Sequence, residues 1–226
     1  MRDPASHDVE LRRREEAARC SEGRSSDPIL AMVLRALEQE RASGELVDVG
    51  CGQGDLFHRL PASIRSYTGV DLVQYAGFPV SPSARFRKSD LNAVLPLEDG
   101  AANVVVSIET VEHLENPRAL FRELVRVLRP GGLVVVTTPN QLSVLSKLCF
   151  VMKDAFAAFQ RVHYPAHITA LLPGDLINIG REVGLREDRI VYSDDGRVPG
   201  TARHWPAAFK GARFSDNLAY VARKAG

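Results

Sequence analysis

The chain has 226 residues, 45% of them hydrophobic, with 29 Lys and Arg against 28 Asp and Glu and a formal net charge of +1. This length fills one well-packed domain and is short for two large ones, and the near-neutral balance argues against a general nucleic-acid surface. Three widely spaced cysteines, Cys20, Cys51 and Cys149, suggest neither a disulfide framework nor a Cys-rich zinc site; with a charged N-terminus and no apolar run long enough for a bilayer, the expectation is a cytoplasmic protein.

Residues 1–27 mix Arg, Glu, Ser and Gly without an apolar stripe, so a flexible arm is expected, with Arg12-Arg13-Arg14 solvated. Residues 28–226 form the single domain. Ile29, Leu30, Met32, Val33, Leu34 and Leu37 recur at helical spacing and predict an amphipathic helix. The apolar run Leu46-Val47-Asp48-Val49 then reads as a buried parallel strand that stops in Gly50, Gly52 and Gly54. Glycines at alternate positions let the backbone turn sharply and lie directly against a ligand. A second strand, Tyr67 to Val70, ends in Asp71, whose carboxylate is a pure acceptor suited to two neighbouring hydroxyls. A third stretch, Arg85 to Lys88, runs into Ser89-Asp90-Leu91-Asn92, and the segment from Gln74 to Ser83, broken by Gly77, Pro79 and Pro82, stands where a regular helix would be expected.

Asn103 to Ile108 predicts a fourth, almost wholly apolar strand, and Leu128-Arg129-Pro130-Gly131-Gly132 a turn into a fifth through Val136. From Leu142 to Phe159 the rhythm breaks: Leu142, Leu145, Leu148, Met152, Phe156 and Phe159 repeat at helical spacing in an insert spanning about 141–172. Such apolar residues just beyond a strand end are expected to pack as a lid over a ligand cleft. The alternative, a helix resting on a membrane for peripheral contact, has little of the cationic face in Lys147 and Lys153 alone. Leu176 to Val183 predicts a helix, Arg189 to Tyr192 a strand, and Asn217 to Arg223 a final edge strand. Between these two strands, Ser193 to Asp216 is long for a hairpin loop, and its Arg197, Arg203, His204 and Trp205 are candidates to face an acceptor.

The alternation implies an α/β fold with a Rossmann-like doubly wound sheet of about seven strands, mostly parallel with an antiparallel last strand. Read together, the five blocks resemble class I S-adenosylmethionine (SAM) methyltransferases over residues 29–223. The resemblance implies a SAM-binding enzyme in which Asp48, Gly50, Gly52, Gly54, Asp71, Leu72, Asp90, Leu91 and Ile108 hold the cofactor, with the glycines toward its methionine part, Asp71 on the ribose and Asp90 near the adenine amino group. It also implies a small-molecule or glycan acceptor methylated on oxygen, and it leaves a homodimer open.

The fourth strand leads into Glu109-Thr110-Val111-Glu112-His113. If that segment is helical, Glu109, Glu112 and His113 share one face at i, i+3 and i+4, two carboxylates and an imidazole suited to Mg²⁺ or Mn²⁺. The E-x-x-E-H pattern resembles the ubiquinone-biosynthesis O-methyltransferases and the small-RNA 2′-O-methyltransferases. By that resemblance a further His from beyond the fifth strand completes the metal set, and His167 is chosen over His163. Without a metal, His113 is the leading general base, with Glu112 and His167 beside it. Two other functions stay open: methylation of RNA, and a SAM-binding partner subunit that does no chemistry.

Overall fold

The computed structural model describes residues 12, 14–16, 18, 19, 23–206 and 208–226. Arg13 of the basic cluster and Cys20 lie outside the described residues. Seven strands, β1 (Gly44–Val49), β2 (Ile64–Asp71), β3 (Ala84–Lys88), β4 (Ala102–Ser107), β5 (Leu128–Pro139), β6 (Leu185–Tyr192) and β7 (Asn217–Lys224), form one sheet in the order β3-β2-β1-β4-β5-β7-β6. β1 to β5 run parallel to one another and β7 is antiparallel to both β5 and β6.

Strand alternation feeds two cores. Leu46, Val104, Val106, Leu133, Val135, Ala219 and Val221 pack on one face against helix α1 (Asp27–Gln39). Val47, Val49, Val105, Val134, Val136, Leu218 and Tyr220 pack on the other, against α2 (Pro117–Val127) and α4 (Pro173–Glu182). Burial on both faces explains why the central strands read as continuous apolar runs. The helix starts are set locally: Asn116 accepts from the Ala119 amide at 3.0 Å with Pro117 in the first turn, and Asp175 accepts from the Leu172 amide at 2.9 Å.

One expectation about the sheet is corrected. The final strand is not an edge strand: β7 inserts between β5 and β6 and buries Leu218 to Ala222, leaving the half-exposed β6 at the edge. An antiparallel hairpin can fold back into either position, and the apolar run in β7 selects the interior one. No helix among the described residues is long and apolar enough to cross a membrane.

Candidate active site

The carboxyl ends of the parallel strands open into a cleft of about 1160 Å³, the position expected for a ligand in an open α/β sheet. Of the nine nominated cofactor residues, Asp48, Gly50, Gly52, Asp71, Leu72, Asp90, Leu91 and Ile108 line it, and Gly54 does not. Gly54, at φ 76°, instead shapes the turn against Pro79, whose Cδ lies 2.5 Å from where a Cβ would stand.

The glycine loop is held by the protein as much as it is open to a ligand. Gly52, at φ 51°, donates its N–H to Asp71 Oδ2 at 2.9 Å, and a Cβ there would stand 2.1 Å from the Gly23 carbonyl oxygen. Its missing side chain therefore makes room for the N-terminal segment, while its main chain lines the cleft. Gly50 is similar, with Thr110 Oγ1 2.0 Å from a built Cβ.

Two buried carboxylates flank this loop. Asp48 accepts from the Tyr67 hydroxyl at 2.7 Å through Oδ2, while its buried Oδ1 has no partner. Burial, opposed by that hydrogen bond, pushes its pKa up to about 7, so a cation beside Oδ1 would restore its charge. Asp71 is also raised by burial, an effect countered by the amides of Gly52, Val73 and Leu72. Asp71 Oδ2 faces the glycine loop, while Oδ1 accepts from the Val73 amide at 3.2 Å.

The described part of the N-terminal segment lies against this cleft. Arg14 bonds Asp90 Oδ2 at 2.6 Å and also pairs with Glu115, Glu15 pairs with Lys88 at 2.7 Å, and Tyr75 donates to the Ala18 carbonyl at 2.6 Å. Arg14, Ala18 and Gly23 line the cleft with the strand-end residues. Nothing in local composition announces this, because the ion pairs join residues 76 and 101 positions apart. Replacing Arg14 by Ala is expected to weaken S-adenosylhomocysteine binding by about two- to fivefold, the range of one partly exposed ion pair, as titration calorimetry would read it.

Beyond β4 the predicted helical face does not form. Glu109 adopts φ 49° and only a 3-10 turn, Val111–His113, follows, so the i, i+3, i+4 argument fails for Glu109. Its carboxyl is occupied elsewhere, accepting from Thr137 at 3.2 Å and Asn217 at 3.0 Å, and burial with Glu112 nearby pushes its pKa far up. Glu112 and His113 converge instead with His167, offering ligand atoms within 4.8 Å of one another. The Ile168 and Thr169 amides both donate to the Glu112 carbonyl, at 2.9 and 3.0 Å, which draws the distant insert onto the turn.

Within this trio the tautomers are fixed by backbone. His113 Nδ1 lies 2.8 Å from the Ala166 carbonyl and His167 Nδ1 2.7 Å from that of Ala158. A carbonyl only accepts, so each Nδ1 carries the proton and each Nε2 keeps its lone pair. Glu112 is fully buried; Oε2 accepts from Thr138 at 3.3 Å and Oε1 has no partner. Burial raises the Glu112 carboxyl to about 8 and, with the neighbouring His113, lowers His167 to about 4. His163 stacks on His167 with ring centroids 5.7 Å apart, its Nδ1 unpartnered.

The insert only partly matches the expected lid. Val162 to Ile168 lines the cleft, but helix α3 (Val144–Lys153), capped by Ser143, buries only Ser146. The 193–216 loop closes a second polar cavity of about 260 Å³ behind Glu109 and His167, with Arg197 and His204 in its wall. Arg197 pairs with Asp216 and His204 with Asp195, while Trp205 packs on Phe209 and Phe214.

A Gly-rich loop, acidic strand ends and this strand order define a Rossmann-like methyltransferase domain, and comparison with known proteins agrees. The methyltransferase-domain family model matches residues 21–186, and the chain belongs to that family. A Mycolicibacterium smegmatis protein named probable S-adenosylmethionine-dependent methyltransferase is 32% identical over 116 residues, 50% of this chain and 44% of that one. The malonyl-[acyl-carrier protein] O-methyltransferase of Hahella chejuensis is 30% identical over 130 residues, covering 54% and 44%. A ubiquinone biosynthesis O-methyltransferase of Albidiferax ferrireducens is 27% identical over 108 residues, covering 44% and 43%. The chain thus spans less than half the length of these curated relatives. Among solved structures, the methyltransferase bound to the Trm112 activator from Haloferax volcanii superposes with a TM-score of 0.64 at 19% identity, covering 88% of this chain and 92% of that one. The N-methyltransferase NodS from Bradyrhizobium japonicum, solved with S-adenosyl-L-homocysteine, gives 0.58 at 17%, covering 87% and 86%. At such identities these two likenesses establish the fold.

Proposed function

We propose that the chain is a SAM-dependent O-methyltransferase acting on a hydroxyl of a small molecule or glycan precursor. The observation that carries the reaction type is the convergence of the Glu112 carboxyl with the His113 and His167 rings beside the cofactor cleft, each ring's Nδ1 lying against a backbone carbonyl. O-methyltransferases among the relatives support the same reading.

SAM fits the residues present, because the unpartnered Asp48 Oδ1 suits an ammonium group and the loop main chain offers a close surface. When bound, SAM supplies an already activated methyl group, so the protein's tasks are alignment, exclusion of water and removal of one proton. In this reading Asp71 accepts from the ribose hydroxyls, Asp90 from the adenine amino group, and Leu72, Leu91 and Ile108 pack against the nucleoside. Where no ion is held, His113 Nε2 takes the proton of the acceptor hydroxyl as the oxygen attacks.

A divalent ion also fits, since a buried orphan carboxylate oxygen and two oriented imidazole lone pairs form a two-His, one-carboxylate set. Glu112, His113 and His167 would hold Mg²⁺ or Mn²⁺, which when bound lowers the pKa of a coordinated hydroxyl. Glu109, satisfied by Thr137 and Asn217, is left out of that set.

Labelled SAM presented with a panel of hydroxyl acceptors, before and after EDTA treatment, tests both parts. Methyl transfer to oxygen that falls by about tenfold or more on chelation and returns with Mn²⁺ is expected, since general acid–base and metal terms each supply about 10² or more. Undiminished transfer after chelation removes the ion and leaves His113 as the base. SAM binding without transfer to any acceptor favours the silent-partner alternative, and transfer to short RNA overturns the small-molecule reading.

A further inference from the structure

Glu109 and His167 line both the cofactor cleft and the second cavity of about 260 Å³, so these two side chains are the partition between them. The other walls come from the ends of β5 and β7, the start of α3 and the 193–216 loop. The start of α3 is a polar wall: the helix's one buried residue is Ser146, whose hydroxyl donates to Gln141 Oε1 at 3.2 Å and accepts from the Ala157 amide at 3.2 Å.

The lining selects among ligand classes. Only Pro139, Ala157 and Ala158 bring apolar side chains to it, so an apolar group finds little to pack against, unlike in most small-molecule pockets. Charge is matched within the wall: Arg197 Nε bonds Asp216 Oδ2 at 2.6 Å, His204 Nδ1 bonds Asp195 Oδ1, and burial keeps the Glu109 carboxyl protonated. A carboxylate or phosphate would meet Asp195 and Asp216 beside the cations, and an ammonium would meet Arg197 and His204 beside the carboxylates, so neither sign is favoured. What stays open is a mixed set of donors and acceptors. Among the described residues, Arg197 Nη1 and Nη2 and His204 Nε2 have no partner, and neither do Asp195 Oδ2, Asp216 Oδ1 and Asn217 Oδ1. A hydroxyl both donates and accepts, so a neutral ring bearing several of them matches such a wall. The volume lies just below the range of about 300–1,000 Å³ for drug-sized ligands and suits a single ring.

We propose that this cavity is a saccharide subsite, taking one neutral pyranose unit between the Arg197–Asp216 and His204–Asp195 pairs, with Glu109 and His167 dividing that unit from the methyl-transfer cleft. That the sugar belongs to the methyl acceptor rests on the O-methyltransferase reading; that the cavity binds it does not.

The chain carries its own probe. Trp205 is its single tryptophan; it follows His204, its amide bonds the Gly196 carbonyl at 2.9 Å beside Arg197, and its ring packs on Phe209 and Phe214. Its emission is titrated in the full chain with the methyl pyranosides of glucose, mannose, galactose and rhamnose, and with benzoate as an anionic ring. A saturable change with at least one pyranoside is expected, with a Kd on the order of 1 mM, the scale for so small a ligand. Arg197→Ala, which removes donors, and Ala157→Leu, which fills the cavity, should each weaken it by about tenfold or more. Unchanged circular dichroism and S-adenosylhomocysteine affinity in both variants should confirm an intact fold. No saturable change with any pyranoside overturns the proposal, as does pyranoside binding that both variants retain. Binding of benzoate alone, lost in Arg197→Ala, overturns it in favour of an anion subsite. Pyranoside binding lost in the variants, in a protein that methylates no hydroxyl, upholds the subsite and removes the O-methyl reading; transfer to a hydroxyl without pyranoside binding does the reverse.

Discussion

His113→Ala is expected to lower methyl transfer by about 10²–10⁴-fold, the usual contribution of a positioned acid–base group, with S-adenosylhomocysteine affinity changed by less than about threefold. The expectation rests on geometry: Nδ1 is spent on the Ala166 carbonyl, so Nε2 is the nitrogen available to the acceptor. Glu112→Gln should produce a comparable loss if it helps hold an ion, because the amide cannot replace the anionic ligand. It has a second readout that needs no turnover. In EDTA-treated protein Glu112 titrates near 8 when folded, against an ordinary value of 4.5. A carboxyl raised by folding stabilises the protein fully below its unfolded pKa, and that contribution is lost as pH rises toward the folded one. Melting temperatures of wild type and Glu112→Gln should therefore draw apart between about pH 5 and 8 in favour of the variant. Parallel curves would show that burial does not hold the Glu112 proton. A kcat unchanged in His113→Ala would remove it as the base.

Gly52→Val is expected to abolish measurable cofactor binding, a loss of about 100-fold or more. A β-branched residue at φ 51° is strained by about 1–3 kcal/mol on its own. Its Cβ would also meet the Gly23 carbonyl at 2.1 Å, a backbone atom that cannot swing aside as a side-chain tip would. Relief requires either the N-terminal segment to lift off or the loop to shift and break the Gly52 amide bond to Asp71. Both routes damage the cleft, while the cores on the two faces of the sheet are untouched, so a cooperative melt should survive. Retained affinity by isothermal titration would show that the loop does not form the cofactor surface.

The sheet was legible because its signals are local. The apolar runs that end at Gly50 and Asp71, the run from Asn103 to Ile108 and the one that follows Pro130 to Gly132 each report one strand, and alternation orders them as parallel. The carboxyl-end positions of Asp48, Asp71 and Asp90 follow from strand direction alone. Failure came where neighbours distant in sequence decide. Glu109 was placed with Glu112 and His113 by helical spacing, yet hydrogen bonds from Thr137 and Asn217 hold it at a positive φ and away from their ligand set.

By itself, then, the sequence determined the fold class and the family's glycine loop and acidic strand ends, and it nominated the E-x-x-E-H segment. Only the tertiary structure decided which groups lie together: His167 joins Glu112 and His113 because the Ile168 and Thr169 amides bond the Glu112 carbonyl, and Arg14 reaches Asp90 across the cleft. It also decided which way α3 faces. Helical periodicity reports that a stripe exists, but not whether the sheet or the surroundings receive it, since that depends on the contacts of Ser146 on the opposite side.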